Sequence, residues 1–287
     1  MIKHPKTKHK PPAGDAPIGF LPQQPVLLSE AKGESFIDKV NGTWCAQELF
    51  AGKRVLVHKR HHTVTATDKL GAPCAIPASV ADMVGKLHGD CTLDGKLCAD
   101  LYHAFDMLWN EGRDYRDQPY GRRLCALWAH VGNRVGSVRV VPTVKGMRDV
   151  RKFYADLKER NAEGMVFRDL CMPHTAGIEH KTLFAFRITA IAQCVVAGVA
   201  DRTLSVMLIY DDCPSKGLEM ARVPVPPDQP VPDVGAVVDI RYDHLPDKGS
   251  MFKDAAYVGV RTDVSHAACT LNKQQLRIRP VPTELEK

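Results

Sequence analysis

The chain has 287 residues and a mass of 31.7 kDa, room for one large domain or two modest ones at roughly 100–200 residues each. Hydrophobic residues at 44% and charged residues at 25% argue against a disordered or fibrous chain, and no apolar run approaches the ~20 residues that span a bilayer. Lys and Arg number 39 against 33 acids, and the resulting +6 permits a polyanionic partner without demanding one.

Residues 1–24 are rich in Lys, His and Pro and lack apolar periodicity, so they read as a flexible basic tail; no apolar core follows the basic residues, so no secretory signal is expected. Lys53–Lys59 and His62–Thr67 alternate and are β-branched, which predicts two paired strands. Pro77–Leu87 predicts a short helix, and Cys91–Gly95 a strand running into a turn. Arg122–Val131 and Gly146–Asn161 carry helical spacing. Beyond Gly164 the runs Met165–Phe167, Phe184–Ile188, Cys194–Val199, Ala236–Tyr242 and Ala255–Val260 read as strands. The proline-dense stretch Val223–Val234 reads as loop or edge. A mixed first part, residues 25–188, is therefore expected to meet an all-β second part, residues 189–287.

The nine cysteines show no CxxC pair and no regular framework, a pattern of reduced thiols in a cytoplasmic compartment. His58, His61 and His62 lie where strand alternation sends neighbours to opposite faces, so a shared metal is not expected. Asp211, Asp212 and Asp243 read as solvated turn residues.

Six strings in order carry a stronger signal: Gln47–Arg54 (QELFAGKR), Leu93–Leu97 (LDGKL), Ala104–Leu108 (AFDML), Ala162–Arg168 (AEGMVFR), Phe184–Arg187 (FAFR) and Tyr257–Asp263 (YVGVRTD). Their order and spacing resemble compact ATP-dependent DNA ligases over roughly Leu27–Leu276. The resemblance implies an α+β fold: an adenylyltransferase-like, ATP-grasp-related domain of antiparallel sheets with helices, followed by an OB-fold domain. It also implies a lysine that attacks the α-phosphate of ATP, and carboxylates that hold metal or orient the nucleophile. Further cations would neutralise phosphate charge as it develops.

The chain departs from that pattern at its chemical centre. Aligned on Gly52 and Arg54, the nucleophilic lysine is Leu49, the motif aspartate is Ala51, and the glutamate after Leu93-Asp94-Gly95 is Lys96. Arg168 replaces a lysine, two further lysines become Ala185 and Arg187, and the usual lysine of the last motif is Val264. Leucine has no lone pair and cannot be adenylated, whereas arginine holds phosphate but does not deprotonate.

By resemblance, Phe105, Arg54, Glu163 and Arg187 are the nucleotide-binding positions, with Phe105 either an adenine platform or a core aromatic. Glu163 ligates a metal, caps a strand end or pairs with Arg187. Arg54, Arg168, Arg187, Arg202 and Arg261 are expected on a DNA phosphate path, with a structural salt bridge the other reading of Arg202. The expectation is a monomeric, DNA ligase-like protein that binds nicked or duplex DNA, has no membrane association and has lost sealing. ATP and Mg2+ are required only if the family activity is retained. Two alternatives stay open: an active DNA ligase of repair or replication with Lys96 as relocated nucleophile, and a pseudo-nucleotidyltransferase that binds proteins.

Overall fold

A computed structural model describes residues 20–132, 136–246 and 251–278; most of the expected tail, residues 1–19, lies outside the described residues. In chain order the elements begin with β1 (Gln24–Leu28), α1 (Glu30–Ile37), β2 (Trp44–Leu49), β3 (Lys53–Arg60), β4 (Thr63–Asp68) and α2 (Ala78–Gly85). They continue with β5 (Cys91–Cys98), β6 (Leu101–Asn110), β7 (Arg113–Asp114), α3 (Tyr120–Val131), β8 (Val138–Val140), β9 (Thr143–Lys145) and α4 (Met147–Glu159). The remainder is strand: β10 (Gly164–Asp169), β11 (Glu179–Arg187), β12 (Ala190–Ala200), β13 (Thr203–Tyr210), β14 (Cys213–Pro224), β15 (Val237–Tyr242) and β16 (Ala256–Val260). The expected α+β class is what the chain adopts: antiparallel sheets with few helices.

Among the described residues the chain gathers into two compact units. The first takes in residues 20–25, Gly52–Val141 and Asp169–Leu183; the second takes in Val26–Ala51, Pro142–Arg168 and the chain from Phe184. The first unit is built on the sheet β4-β3-β5-β6-β7, with β8 parallel to β6. Val55, Leu56 and Val57 of β3 are all buried, because the sheet is covered on both faces. The β3–β4 hairpin turns on His61 and His62, with Arg60 opposite Thr63 and His61 at φ 51°.

Two expectations are corrected here. Phe20 is buried with Leu56 and Leu108, and the Gln23 amide donates to Thr182 Oγ1 at 3.0 Å, so residues 20–23 are packed rather than tail. Gly95 does not make a turn; β5 runs through it to Cys98, and the chain reverses at Ala99, φ 49°. Glycine is needed there because Tyr102 crosses over it. A Cβ on Gly95 would stand 2.5 Å from Tyr102 Cζ and 2.6 Å from the His103 carbonyl oxygen. The Tyr102 hydroxyl donates to the carbonyls of Val55 and Leu93 at 2.9 and 3.0 Å, which fixes the ring in that position.

The second unit includes β2, β9 and most of β10 from a sheet ordered β1-β11-β10-β2-β9. Helices α1 and α4 cover it, and Val150, Leu157, Met165, Phe167 and Phe186 form the buried layer. The same unit contains the sheet β14-β13-β12-β15-β16, whose outer strands β14 and β16 come together. That order with edges that approach is the five-stranded, partly open barrel of an OB fold. Its interior is the alternating set Ala192, Cys194, Val196, Leu204, Val206, Leu208, Val238, Ile240 and Tyr242. No helix among the described residues is long and apolar enough to cross a membrane.

Candidate functional site

In the first unit, Arg54 on β3 lies against Asp94 and Phe105. Its Nε donates to Asp94 Oδ1 at 2.6 Å and its Nη2 to Asp94 Oδ2 at 2.7 Å, while the guanidinium carbon sits 4.4 Å from the centre of the Phe105 ring. The Asp94 side chain is 1% exposed and that of Arg54 13%. Burial opposes the guanidinium charge, but the attraction and hydrogen bonds of Asp94 outweigh it and raise the Arg54 pKa. Phe105 is itself buried, and the ring expected to receive adenine meets an arginine of the same chain. Lys96, two residues beyond Asp94, donates from Nζ to the Gly52 carbonyl at 2.8 Å.

A second buried pair lies one strand further on. Arg123 of α3 and Asp106 of β6, both side chains 1% exposed, form a forked contact at 2.8 and 2.9 Å. Next to β3's other end, the His58 ring spans Thr92 Oγ1 at 3.2 Å and Thr67 Oγ1 at 3.1 Å. Burial and the neighbouring Arg60 push its pKa down to about 4.

In the second unit, Leu49 closes β2 beside Gly164. A Cβ on Gly164 would stand 2.1 Å from the Phe186 carbonyl oxygen and 3.1 Å from Leu49 Cδ2, so the backbone there is pressed close to both. Glu163, adjacent and 7% exposed, takes Arg187 Nη1 at 2.7 Å. Of the readings of Glu163, the pairing with Arg187 is the one with a visible partner. The Arg187 side chain is 64% exposed and also lies 3.8 Å from Asp243. Arg168 is buried on β10, where its Nε donates to Gln47 Oε1 at 3.1 Å; the Gln47 amide in turn donates to Thr143 Oγ1 at 2.8 Å.

The two barrel arginines are held as well. Arg202 stands at φ 61° in the two-residue β12–β13 turn, and its Nη2 donates to the carbonyls of Pro226 and Gln229 at 2.7 and 2.6 Å. It braces the proline-rich loop through neutral carbonyls, with no salt bridge among the described residues. Arg261 grips Asp263 through two bonds at 2.8 and 2.7 Å and Asp239 at 3.1 Å. The hydrogen bond from Arg261 holds the Asp263 carboxyl down to about 2.

The geometry thus brings Arg54 to Phe105, and Glu163 to Arg187. Sequence reasoning offered Glu163 as a partner of Arg187 but missed the acid that faces Arg54. Asp94 was in view within the Leu93-Asp94-Gly95 string, but its partner lies 40 residues away across the sheet.

The carboxylates do not fit a divalent ion. Glu163 is bonded to Arg187 and Asp94 to Arg54, positions 51 and 96 are Ala and Lys, and no group of three His, Cys, Asp or Glu among the described residues could hold a metal. Hard cations need several oxygen ligands. Position 49 offers no nucleophile.

No protein-family profile matches the chain, and no curated protein matches it. Solved structures do. Mycobacterial DNA ligase D complexed with ATP and MES superposes with a TM-score of 0.51 at 16% identity, over 88% of this chain and 98% of that one. The ligase domain of LigD from M. tuberculosis gives 0.50 at 17% identity, over 88% and 98%. The chain has the fold of these ATP-dependent DNA ligase domains along nearly its whole length.

Proposed function

We propose that this chain is a DNA ligase-like protein that binds nicked or duplex DNA without sealing it. The observation that carries the reading is Leu49, an alkyl side chain packed at Gly164 in the place of the nucleophile, in a chain that otherwise keeps the ligase-domain fold. Within the first unit Arg54 is committed to Asp94 and stacked on Phe105, and within the second Glu163 is committed to Arg187. A site of this kind holds charge and transfers nothing.

In this reading residues 25–188 form the adenylyltransferase-like part and residues 189–287 the OB part, acting in a reducing cytoplasm where all nine cysteines stay free. The Lys96 alternative gains no support, since its amine is held on the Gly52 carbonyl.

Native gel electrophoresis with a 5′-phosphorylated nicked duplex tests the reading. Binding should fall steeply with salt, because each neutralised phosphate releases counterions. Arg187→Glu with Arg261→Glu should weaken it for every DNA sequence. Equal binding by native and doubly reversed protein at low salt removes DNA from the account.

A further inference from the structure

In the second unit the barrel strands β12–β16 follow β11 through one short joint, Ile188–Thr189. A domain hung on a single short joint is ordinarily free to move. Here the chain comes back to the joint. Arg277, 8% exposed, donates from Nε to the Asn161 carbonyl at 2.9 Å, and from Nη2 to those of Ala162 at 2.5 Å and Ile188 at 2.8 Å. On the barrel side its Nη1 meets the Asp243 carbonyl at 3.3 Å, and its backbone N–H donates to the Tyr242 hydroxyl at 2.9 Å. One cation is thereby bonded to the α4–β10 turn, the joint and the end of β15.

A second set of bonds repeats the connection. β13 pairs with β12 only from Val195 onward, so no strand among the described residues covers the β12 edge at Ile191 and Gln193. Asn161, at φ 49°, fills the first position. Its Oδ1 accepts from the Ile191 N–H at 3.2 Å, and its Nδ2 donates to the carbonyls of Ile191 at 3.2 Å and Gln275 at 2.8 Å. Gln274 Oε1 fills the next, accepting from the Gln193 N–H at 3.2 Å. Bare strand edges need such cover. The bonds of Ile188 N–H to the Glu163 carbonyl and of Thr189 N–H to Glu30, both at 3.1 Å, hold the joint but do not reach the barrel.

We infer that Gln274–Ile278 is a strap that locks the barrel to the α4–β10 turn, with Arg277 as its pin. With the strap seated, the barrel moves as one body with α4 and the start of β10. With the pin withdrawn, the barrel turns about Ile188–Thr189. Charge-assisted bonds are the stronger ones, which suits a buried guanidinium to this task. The lock stands whether or not the chain binds DNA, so the two readings fail separately.

Residual dipolar couplings of the full 15N-labelled chain in a neutral stretched gel test the lock, with amide hydrogen exchange measured alongside. One alignment tensor should fit the barrel and the α4–β10 amides of the native chain together. Arg277→Met should require two tensors and speed exchange at Ile191 and Gln193 by about tenfold, while Leu204–Leu208 inside the barrel keep their protection. Arg202→Met, which frees carbonyls within the barrel's own loop, should leave a single tensor. If Arg277→Met does not fold, Asn161→Ala with Gln274→Ala, which spares the pin, decides: Ile191 and Gln193 should again exchange faster than Leu204–Leu208. Two tensors in the native chain, or unchanged exchange at Ile191 in the variants, overturn the lock. Protection lost at Leu204–Leu208 in step with Ile191 also overturns it, because Arg277 then holds the barrel's fold and not its position.

Discussion

Asp94→Ala takes away the carboxylate that pairs with Arg54 beside Phe105. The pair is almost wholly withdrawn from water, at 13% and 1% side-chain exposure, and is closed by two short bonds at 2.6 and 2.7 Å. Removing one partner of a buried pair leaves an uncompensated charge, which costs about 3–5 kcal/mol. At about 2–4 °C per kcal/mol for a body of 150–250 residues, even the lower figure moves the melting temperature by about 6–12 °C. The Arg151–Asp38 pair, 60% and 62% exposed, is the internal control, and Asp38→Ala should cost about 0–1 kcal/mol. Arg54→Leu combined with Asp94→Leu should recover much of the loss, because neither charge is then stranded. Urea unfolding followed by circular dichroism, with a thermal scan, measures all of these variants. If Asp94→Ala costs no more than Asp38→Ala, the buried fork does not hold Arg54 as described.

Acid sensitivity should come partly from His58. Its folded pKa near 4 lies below the unfolded value of 6.5, so the unfolded chain takes up the proton first and stability falls between those two pH values. The slope is up to about 1.4 kcal/mol per pH unit, and His58→Gln should flatten it; His174, pushed down by burial in the same direction, sustains the remainder. An unchanged slope in His58→Gln contradicts the buried neutral imidazole. Gly95→Ala should destabilise by about 1–3 kcal/mol through the clash with Tyr102, and a neutral outcome in urea unfolding would mean that β5 can move aside. Leu49→Lys alone should remain unadenylated, because positions 51 and 96 still lack carboxylates and Arg54 still covers Phe105; a labelled adduct on this variant would show a more complete site.

Much of the secondary structure was legible because local pattern and tertiary role agree. The β3–β4 hairpin and the helices at Ala78–Gly85, Tyr120–Val131 and Met147–Glu159 follow the alternation and spacing read from the chain. Helix α1 was not legible. Its sequence EAKGESFI has a central glycine, which is present because a Cβ on Gly33 would stand 2.2 Å from Phe186 Cγ, a contact 153 positions away. Gly95 misled for the same reason: a glycine that usually marks a turn serves a close approach inside a strand.

At the candidate site, sequence located the cations and the missing lysine, and it offered the Glu163–Arg187 pair as one reading. It did not show that Arg54 meets Asp94, a contact made only by the sheet that brings β3 and β5 together. Arg261 is the exception, since its partner Asp263 is two residues away and stands in the same string.

Incubation of the native chain with labelled ATP and Mg2+, followed by denaturing electrophoresis, tests the central claim most directly. With leucine at position 49 and Lys96 held on the Gly52 carbonyl, no label should stay with the protein band. A covalent AMP adduct, placed by mass spectrometry on Lys96 or Lys53, would contradict the account and make this chain an active adenylyltransferase with a nucleophile of its own.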